Sequence, residues 1–333
     1  NNRIMKELNF DLLKSLYCVF SPSDEEKRMR RFIKKHIKNN VPSAIVTQDE
    51  YGNLFVTKGE AESYPCLCAH MDQVQHLHPK DFVCVESQGV IFGYSPKVRK
   101  QCGLGADDKN GIFIALQCLE CYDVLKCAFF VGEEIGCVGS SAADISFFSD
   151  CRFCAQIDRR GNSDMVTSIS YDSICSDDFI KDADCTGYGY AVSTGLMTDV
   201  EALRSNGVAV SCINMSCGYY EPHTDHEFTV IEDVKKCHAF VCHLIEHCTS
   251  VYPHEPDEEY GCARYGSDNY WERYCTSWDY DECLEYCCES LYNDPMLTLE
   301  EFSDNIKGCY HLDKRQIADI YDTARSYVDS ETA

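Results

Sequence analysis

Short apolar runs alternate with helix-like stretches over the first three quarters of the chain. Four runs have the length and composition of buried strands, and they occupy 66–69, 128–131, 153–157 and 208–213. Apolar positions with a helical period occur between or after them, at 110–122, 199–206 and 231–248. Buried strands separated by helices predict an α/β fold, a three-layer α/β/α sandwich around a mostly parallel central sheet. An open sheet of this kind binds ligands at the carboxyl ends of its strands.

Two amphipathic helices are predicted before the first of these strands, at 5–20 and 24–38. Ser23 is followed by three acidic residues. This order is typical of a helix start, because a hydroxyl cap and negative charges both favour the positive end of the helix dipole. Apolar alternation then predicts a strand pair at 44–47 and 54–57.

The composition changes near residue 250, after which the chain is strongly acidic. Residues 251–333 contain 20 Asp or Glu and 6 Lys or Arg. Helical patterns return there at 281–292, 298–307 and 313–328. We therefore predict two domains, a main domain at 1–250 and a small, acidic, mainly helical C-terminal extension at 251–333.

Net charge and hydropathy exclude several classes of function. The 333 residues carry a net charge of −25, which argues against nucleic acid or an anionic membrane surface as a partner. No apolar stretch approaches the roughly 18 residues needed to span a bilayer. The N-terminal residues lack the apolar segment of a secretory signal. These features predict a cytoplasmic protein.

The 24 cysteines are interpreted mainly as buried free thiols, because many stand inside apolar runs and behave as small hydrophobic residues. Disulfide scaffolds are short secreted chains. Two C-x-x-C pairs, Cys118/Cys121 and Cys151/Cys154, leave a four-cysteine zinc site as an alternative. Cys118 and Cys121 fall within a helical pattern rather than on a turn, which favours the first interpretation.

Five acidic or histidine clusters follow predicted strands, where an α/β site is expected. They are H-x-D at 70–72, G-A-D-D-K-N-G at 105–111, G-E-E-I-G at 132–136, Asp158, and P-H-T-D-H at 222–226. Each cluster alone has a structural interpretation, such as a His–Asp contact or an N-terminal helix cap. Together they supply imidazole and carboxylate ligands, which suit a pair of divalent ions, zinc most readily.

The order of these motifs resembles the two-zinc exopeptidase superfamily, which includes peptidase T, carboxypeptidase G-type enzymes, leucine aminopeptidases and tetrahedral aminopeptidases. The resemblance covers about residues 20–248 and implies a zinc-dependent hydrolase. It implies two zinc ions, with Co²⁺ or Mn²⁺ as possible replacements. The residues that match the family's metal ligands are His70, Asp107, Glu134, Asp158 and His223.

The same resemblance assigns a role to each matching residue. Asp107 bridges both ions, His70 and Asp158 complete one ion, and Glu134 and His223 complete the other. Glu133 matches the general base that takes a proton from a metal-activated water. Asp72 matches the residue that orients His70, and the Asp107–Asp108 peptide bond matches one that is often cis in the family.

The spacing of the motifs indicates which type of peptidase is closest. Asp158 and His223 lie 65 positions apart, which is too short for the family's usual lid domain. Asp72 and Asp107 lie 35 positions apart, with room for only a strand pair at 82–85 and 90–92. We therefore expect 1–250 to be a catalytic domain without a lid insertion, similar to leucine aminopeptidases.

A site without a lid favours an aminopeptidase that removes N-terminal residues from peptides. Asp199, Asp164 and Asp225 are candidates to hold the free amine. Arg159 and Arg160 follow Asp158 directly and are candidates to bind a carboxylate or a polar substrate tail.

Alternatives on the same scaffold are a dipeptidase, a carboxypeptidase or an N-acyl amino acid deacylase, and a non-catalytic binding protein is a further one. The expected partner is a peptide substrate, and the expected assembly is a monomer or a small homo-oligomer.

Overall fold

The computed structural model describes residues 8–75, 78–169 and 172–254, together with 283, 287, 290–291, 297–305, 317–318, 320–321, 323–325 and 328. The chain divides into two compact units, 1–257 and 258–333. The sequence prediction placed the boundary between its two domains at 250.

The described part of the first unit contains seven α-helices and fourteen strands. Its helices are α1 (Phe10–Tyr17), α2 (Lys27–Asn40), α3 (Ala106–Cys121), α4 (Val138–Ser141), α5 (Asp177–Ala183), α6 (Asp199–Ser205) and α7 (Ile231–His247). Its strands are β1 (Ile45–Gln48), β2 (Leu54–Lys58), β3 (Tyr64–His70), β4 (Val83–Ser87), β5 (Val90–Ser95), β6 (Lys100–Cys102), β7 (Leu125–Phe130), β8 (Cys151–Arg159), β9 (Asp164–Ile169), β10 (Asp172–Ser173), β11 (Ala191–Gly195), β12 (Cys212–Ser216), β13 (Tyr219–Tyr220) and β14 (Phe228–Val230).

Nine of these strands form the central sheet, in the order β1-β2-β7-β3-β8-β12-β9-β10, with β11 paired to β9. The inner strands β7, β3, β8 and β12 are parallel to one another. The pairs β1–β2, β2–β7, β12–β9 and β9–β10 are antiparallel. The predicted α/β fold is confirmed, and the parallel strands form the centre of a mixed sheet.

Both faces of the central sheet are buried, as a three-layer arrangement requires. Along β3, Leu67 and Ala69 join one apolar core, whereas Cys66 and Cys68 join a second core on the opposite face. This alternation follows from the two-residue period of a strand. The first core includes residues of α1, α2, α3 and α7, and the second includes residues of α6.

A second, five-stranded sheet lies beside the candidate site. The predicted strand pair is present as β4 and β5. It is extended by β6 and by β14, which pairs in turn with β13. The sheet therefore joins the segment after Asp72 to the segment around His223.

One strand prediction was wrong in its bounds. The apolar run at 208–213 predicts a strand there, but the sheet strand β12 begins at Cys212. The preceding residues bond to the chain at 252–254 instead, because the Ser211 N–H donates to the Tyr252 carbonyl at 2.8 Å and Val210 forms a bridge with Pro253.

The first two helices are shorter than predicted. Helix α1 ends at Tyr17, and residues 1–7 lie outside the described ones. Helix α2 begins at Lys27 with Glu26 as its N-cap. The Ser23 hydroxyl does not cap this helix, because it donates to Asp72 Oδ2 at 2.8 Å. None of the described helices is long and apolar enough to cross a membrane.

The second unit has a small apolar core of its own. Its members are Cys283, Cys287, Leu291, Leu297, Phe302, Ile320, Ala324 and Val328. Helix α8 (Leu299–Asn305) lies within the predicted stretch 298–307. The described residues within the other two predicted helices, 281–292 and 313–328, have helical backbone, and the remainder of both stretches lies outside the described residues.

Candidate active site

The predicted site residues meet at the carboxyl end of the parallel strands. His70 is the last residue of β3, Glu133 and Glu134 follow β7, and Asp158 is the penultimate residue of β8. Asp107 stands in the first turn of α3, and its peptide bond to Asp108 is cis, as in the resemblance. His223 follows β13 and has a φ of 63°, a left-handed conformation that is uncommon outside glycine.

A first donor group consists of His70, Asp107 and Asp158. Asp107 Oδ1 lies 3.0 Å from His70 Nε2, and Asp158 Oδ1 lies 3.6 Å from the same nitrogen. A second group consists of Asp107, Glu134 and His223. His223 Nε2 lies 3.4 Å from Asp107 Oδ2 and 3.1 Å from Glu134 Oε2. Asp107 thus presents one carboxylate oxygen to each group.

Burial and neighbouring negative charges oppose the ionisation of these carboxylates when no cation is present. Burial raises the pKa of Glu134 to about 7. Burial and the neighbouring Asp107 raise the pKa of Asp158. Burial also opposes ionisation of Asp107, but its contacts with His223 and His70 hold its pKa below the ordinary value. Divalent cations would relieve such repulsion.

The donor chemistry fits two divalent ions that share Asp107. Each group offers imidazole and carboxylate donors, which zinc and similar ions accept. Glu134 Oε1 is buried and has no hydrogen-bond partner among the described residues, as expected for an atom reserved for a ligand.

Glu133 lies beside the two donor groups, with Oε2 3.9 Å from His70 Nε2. Burial raises the pKa of Glu133 well above its ordinary value, and the charges of Asp158 and Glu134 add to this effect. A carboxylate with a raised pKa binds a proton more readily near neutral pH, which suits a group that transfers protons.

Asp72 is fully enclosed and connects two parts of the site. Its Oδ1 lies 3.4 Å from His70 Nδ1, a contact that does not reach hydrogen-bond geometry. Its two oxygens accept the backbone N–H groups of Glu133 at 3.1 Å and Glu134 at 3.2 Å. Burial opposes ionisation of Asp72, but His70 and Ser23 lower its pKa. Asp72 therefore holds the turn that carries Glu133 and lies beside the His70 ring.

Two buried charged residues of the site were not predicted. Glu227 accepts the backbone N–H groups of Gly105 at 2.6 Å and Asp107 at 3.1 Å. Lys109 donates to Gln73 Oε1 at 2.5 Å and to the Leu104 carbonyl at 3.0 Å. Burial raises the pKa of Glu227 to about 7 and lowers that of Lys109 to about 8. The position of Glu227, one residue after His226 in the last motif, was the only sequence signal for it.

A second set of unpredicted residues fixes Asp158. Gln156 Nε2 donates to Asp158 Oδ2 at 3.0 Å and to Asp199 Oδ2 at 3.1 Å. Asn214 Oδ1 accepts the Asp158 N–H at 3.0 Å. Tyr219 donates its hydroxyl to Asp158 Oδ1 at 3.2 Å. These partners come from β8 and β12 of the central sheet and from β13 of the second sheet, so strands of both sheets hold Asp158.

The residues predicted to bind substrate differ in their exposure to solvent and in their side-chain contacts. Asp199 is fully buried behind Gln156 and accepts the Ser140 hydroxyl at 2.6 Å. Arg159 donates to Asp164 Oδ2 at 2.9 Å, so these two candidates engage each other. Arg160 and Asp225 are exposed.

Comparisons with known proteins find similar folds among solved structures and no match by sequence. No protein-family profile matches the sequence, and no curated protein matches it. Aminopeptidase PepT from Bacillus cereus is similar over 72% of this chain and 98% of that chain, with a TM-score of 0.57 at 14% sequence identity. A tripeptidase from Staphylococcus aureus is similar over 72% of this chain and 97% of that chain, with a TM-score of 0.58 at 15% identity.

TET1 peptidase from Pyrococcus horikoshii is similar over 71% of this chain and 98% of that chain, with a TM-score of 0.51 at 16% identity. That protein can assemble into a tetrahedron or a large octahedral shell. At these identities the similarity is one of fold. The resemblance to this group of peptidases, drawn from the sequence motifs, is confirmed at that level.

Proposed function

We propose that this protein is a two-metal peptidase that removes N-terminal residues from peptides. One observation carries the proposal, namely that the two oxygens of Asp107 face two different histidines, His70 and His223. A shared carboxylate between two imidazole–carboxylate groups is the arrangement needed to hold two cations close together. The fold similarity to aminopeptidases supports the same conclusion.

His70, Asp107 and Asp158 would hold one ion, and Asp107, Glu134 and His223 would hold the other. When bound, such ions polarise a peptide carbonyl and make a water molecule more acidic. Zinc suits these donors best, and Co²⁺ or Mn²⁺ would also be accepted.

The proton transfers are assigned to Glu133. Its carboxylate accepts a proton as water adds to the scissile carbonyl carbon, and it returns that proton to the amine nitrogen as the C–N bond breaks. Asp72 keeps Glu133 in place through the backbone N–H that it accepts. Burial supports this role, because it raises the pKa of Glu133 above its ordinary value, and a more basic carboxylate accepts a proton more readily.

A free N-terminal amine is the substrate group that this site favours. The fold similarity to aminopeptidases supports this choice, whereas the charges of Glu134 and Asp158 do not, because both residues are assigned to the ions. Arg159 is engaged by Asp164, which disfavours it as a receptor for a substrate carboxylate. We assign Asp199 a positioning role through Gln156, since its carboxylate is enclosed.

The decisive experiment combines metal analysis with a peptide panel. Purified protein is supplied with zinc, and each peptide is offered with a free and with an acetylated N-terminus. We expect at least two bound ions per chain and release of residues from the free peptides alone. Equal cleavage of the acetylated set would indicate another amide hydrolase of this scaffold. Stoichiometric binding of metal without cleavage of any peptide would favour a non-catalytic binding protein.

A further inference from the structure

A further group of side chains that could hold a metal ion lies between α3 and α7. Cys118 comes from α3, and His238 and Cys242 come from α7. One ligand atom from each residue lies within 4.8 Å of the other two. Cys118 is eleven residues beyond Asp107, which corresponds to about 16 Å along a helix. The group is therefore separate from the candidate active site.

The spacing along α7 brings an imidazole and a thiol to one face. His238 and Cys242 are four residues apart, and residues with this spacing are neighbours on a helix surface. Cys242 Sγ lies 3.8 Å from His238 Nδ1 and 3.6 Å from His238 Nε2. The Cys118 thiol, from the opposite helix, lies within 4.8 Å of the Cys242 thiol. Cys121 follows Cys118 by three residues, so the next turn of α3 carries a further thiol.

All three side chains are enclosed, with exposed fractions of 0% for Cys118 and 5% for both His238 and Cys242. Enclosed donors are typical of structural metal sites, which are closed to water. The thiolate is the form of cysteine that binds a metal, and metal binding releases its proton.

The structure also holds a group of buried thiols without an imidazole. Cys66, Cys151 and Cys154 lie within 4.8 Å of one another on strands of the central sheet. They are part of the apolar core on that face, where cysteine acts as a small hydrophobic residue. The group on α3 and α7 differs, because a buried imidazole beside two thiols is a polar set with the composition of a zinc site.

We propose that Cys118, His238 and Cys242 bind one zinc-class ion that links α3 to α7. Thiolate and imidazole are the donors that zinc prefers in structural sites, and Cys121, three residues beyond Cys118, is a candidate for a fourth position. The ion would tie the C-terminal part of α3 to α7, while the first turn of α3 carries Asp107. This inference does not depend on the proposed peptidase activity.

Cobalt spectroscopy tests the proposal without reference to activity. The full chain is freed of metal with a chelator and titrated with Co²⁺. A sulfur-to-cobalt charge-transfer band in the near ultraviolet arises only where a thiolate binds the ion. The predicted ligands of the candidate active site contain no sulfur, so that site does not contribute. We expect a band with the intensity of one thiolate-bound ion per chain, and we expect it to disappear when Zn²⁺ is added.

Three variants show which cysteines bind the cobalt ion that produces the band. Cys242→Ala is expected to lose it or to bind the ion at least tenfold more weakly. Cys237→Ala is a matched control, since Cys237 is buried on the same helix but is not a member of the ligand group. Cys154→Ala tests the other thiol group. Both controls are expected to keep the band.

Two results would overturn the assignment to α3 and α7. One is the absence of any band in the wild-type chain, a result that does not depend on how well the variants fold. The other is loss of the band in Cys154→Ala, which would assign the ion to the sheet. Failure of the peptidase proposal would leave the expected band unchanged.

Discussion

At the scale of single residues, experiment can distinguish the proposed role of Glu133 as a base from the role of the proposed metal ligands. Glu133→Gln removes a proton acceptor but leaves both donor groups intact. We expect turnover to fall by about 10²- to 10⁴-fold, the range for loss of a general base. Metal content, measured by elemental analysis, should stay at the wild-type value. The exposed Glu25→Gln serves as the control, and activity within a few-fold of wild type in Glu133→Gln would remove Glu133 from the mechanism.

His78 should make stability depend on pH. Its ring stacks between Phe20 and Phe82, at centroid distances of 5.3 and 4.2 Å. Burial, followed by the charges of Lys109 and Arg28, lowers the pKa of His78 to about 4. The unfolded chain binds a proton near pH 6.5. The stabilisation from the neutral ring is therefore complete above pH 6.5 and is lost as the pH falls toward 4.

Replacement of the ring tests this contribution. His78→Phe keeps an aromatic ring and removes the titration, so urea unfolding should show a smaller loss of stability between pH 7 and pH 4.5. The difference from wild type should be about 1 kcal/mol, since solvent screening reduces the effect at a partly exposed ring. His226→Phe, at an exposed position, should follow the wild type. Parallel curves for His78→Phe and wild type would contradict the assignment.

The site residues that the sequence predicted are those whose chemistry is visible in a short motif. His70, Asp107 and Glu134 stand at strand ends or helix starts, where the fold class alone predicts a ligand site. Glu227 and Asn214 do not belong to such a motif. Each bonds to backbone groups that lie 56 or more positions away in the chain. No local pattern records such a partner. The positioning residues therefore required the three-dimensional structure.

At the scale of elements, the close approach of α3 to β8 depends on Gly111. A Cβ at this position would collide with Asp108 Oδ1 and with the Ile157 backbone oxygen. Gly111→Ala should therefore push α3 away from the sheet and displace the turn that carries Asp107. We expect a loss of about 1–3 kcal/mol, the usual cost of overpacking, together with weaker metal binding.

Urea unfolding and a metal titration measure both effects. Gly187→Ala is a suitable control, because the nearest atom to its added Cβ would be a side-chain oxygen of Asp184 at 3.3 Å. This control should change stability by less than about 0.5 kcal/mol. If Gly111→Ala is as stable as Gly187→Ala and binds metal normally, α3 does not need the glycine.

Elements with a clear apolar period were predicted, and those defined by pairing were not. Strands β3, β7 and β8 are buried on both faces, so their apolar runs stand out in the sequence. Strand β11 is partly exposed, and β10 is two residues long, so neither produces a comparable run. Val210 and Ser211 pair with a segment that is distant in sequence, so β12 begins only at Cys212. Hydrophobic pattern alone does not contain this information.

At the scale of the whole molecule, the two units should fold separately. The two cores of the first unit contain no described residue beyond Tyr252, and the core of the second begins at Cys283. A chain of residues 1–257 should therefore keep the far-ultraviolet circular dichroism of the folded unit. Its unfolding midpoint should lie within a few degrees of the corresponding transition in the full chain. A truncated chain that is unfolded at room temperature would show that residues after 257 contribute to the first unit.

The separation of the cores has a consequence for how the protein is made. Every predicted metal ligand, and both cores of the first unit, precede residue 253. Domains generally fold from the N-terminal end during translation. The first unit can thus fold, with every proposed metal ligand already in place, while the acidic remainder of the polypeptide is still being synthesised.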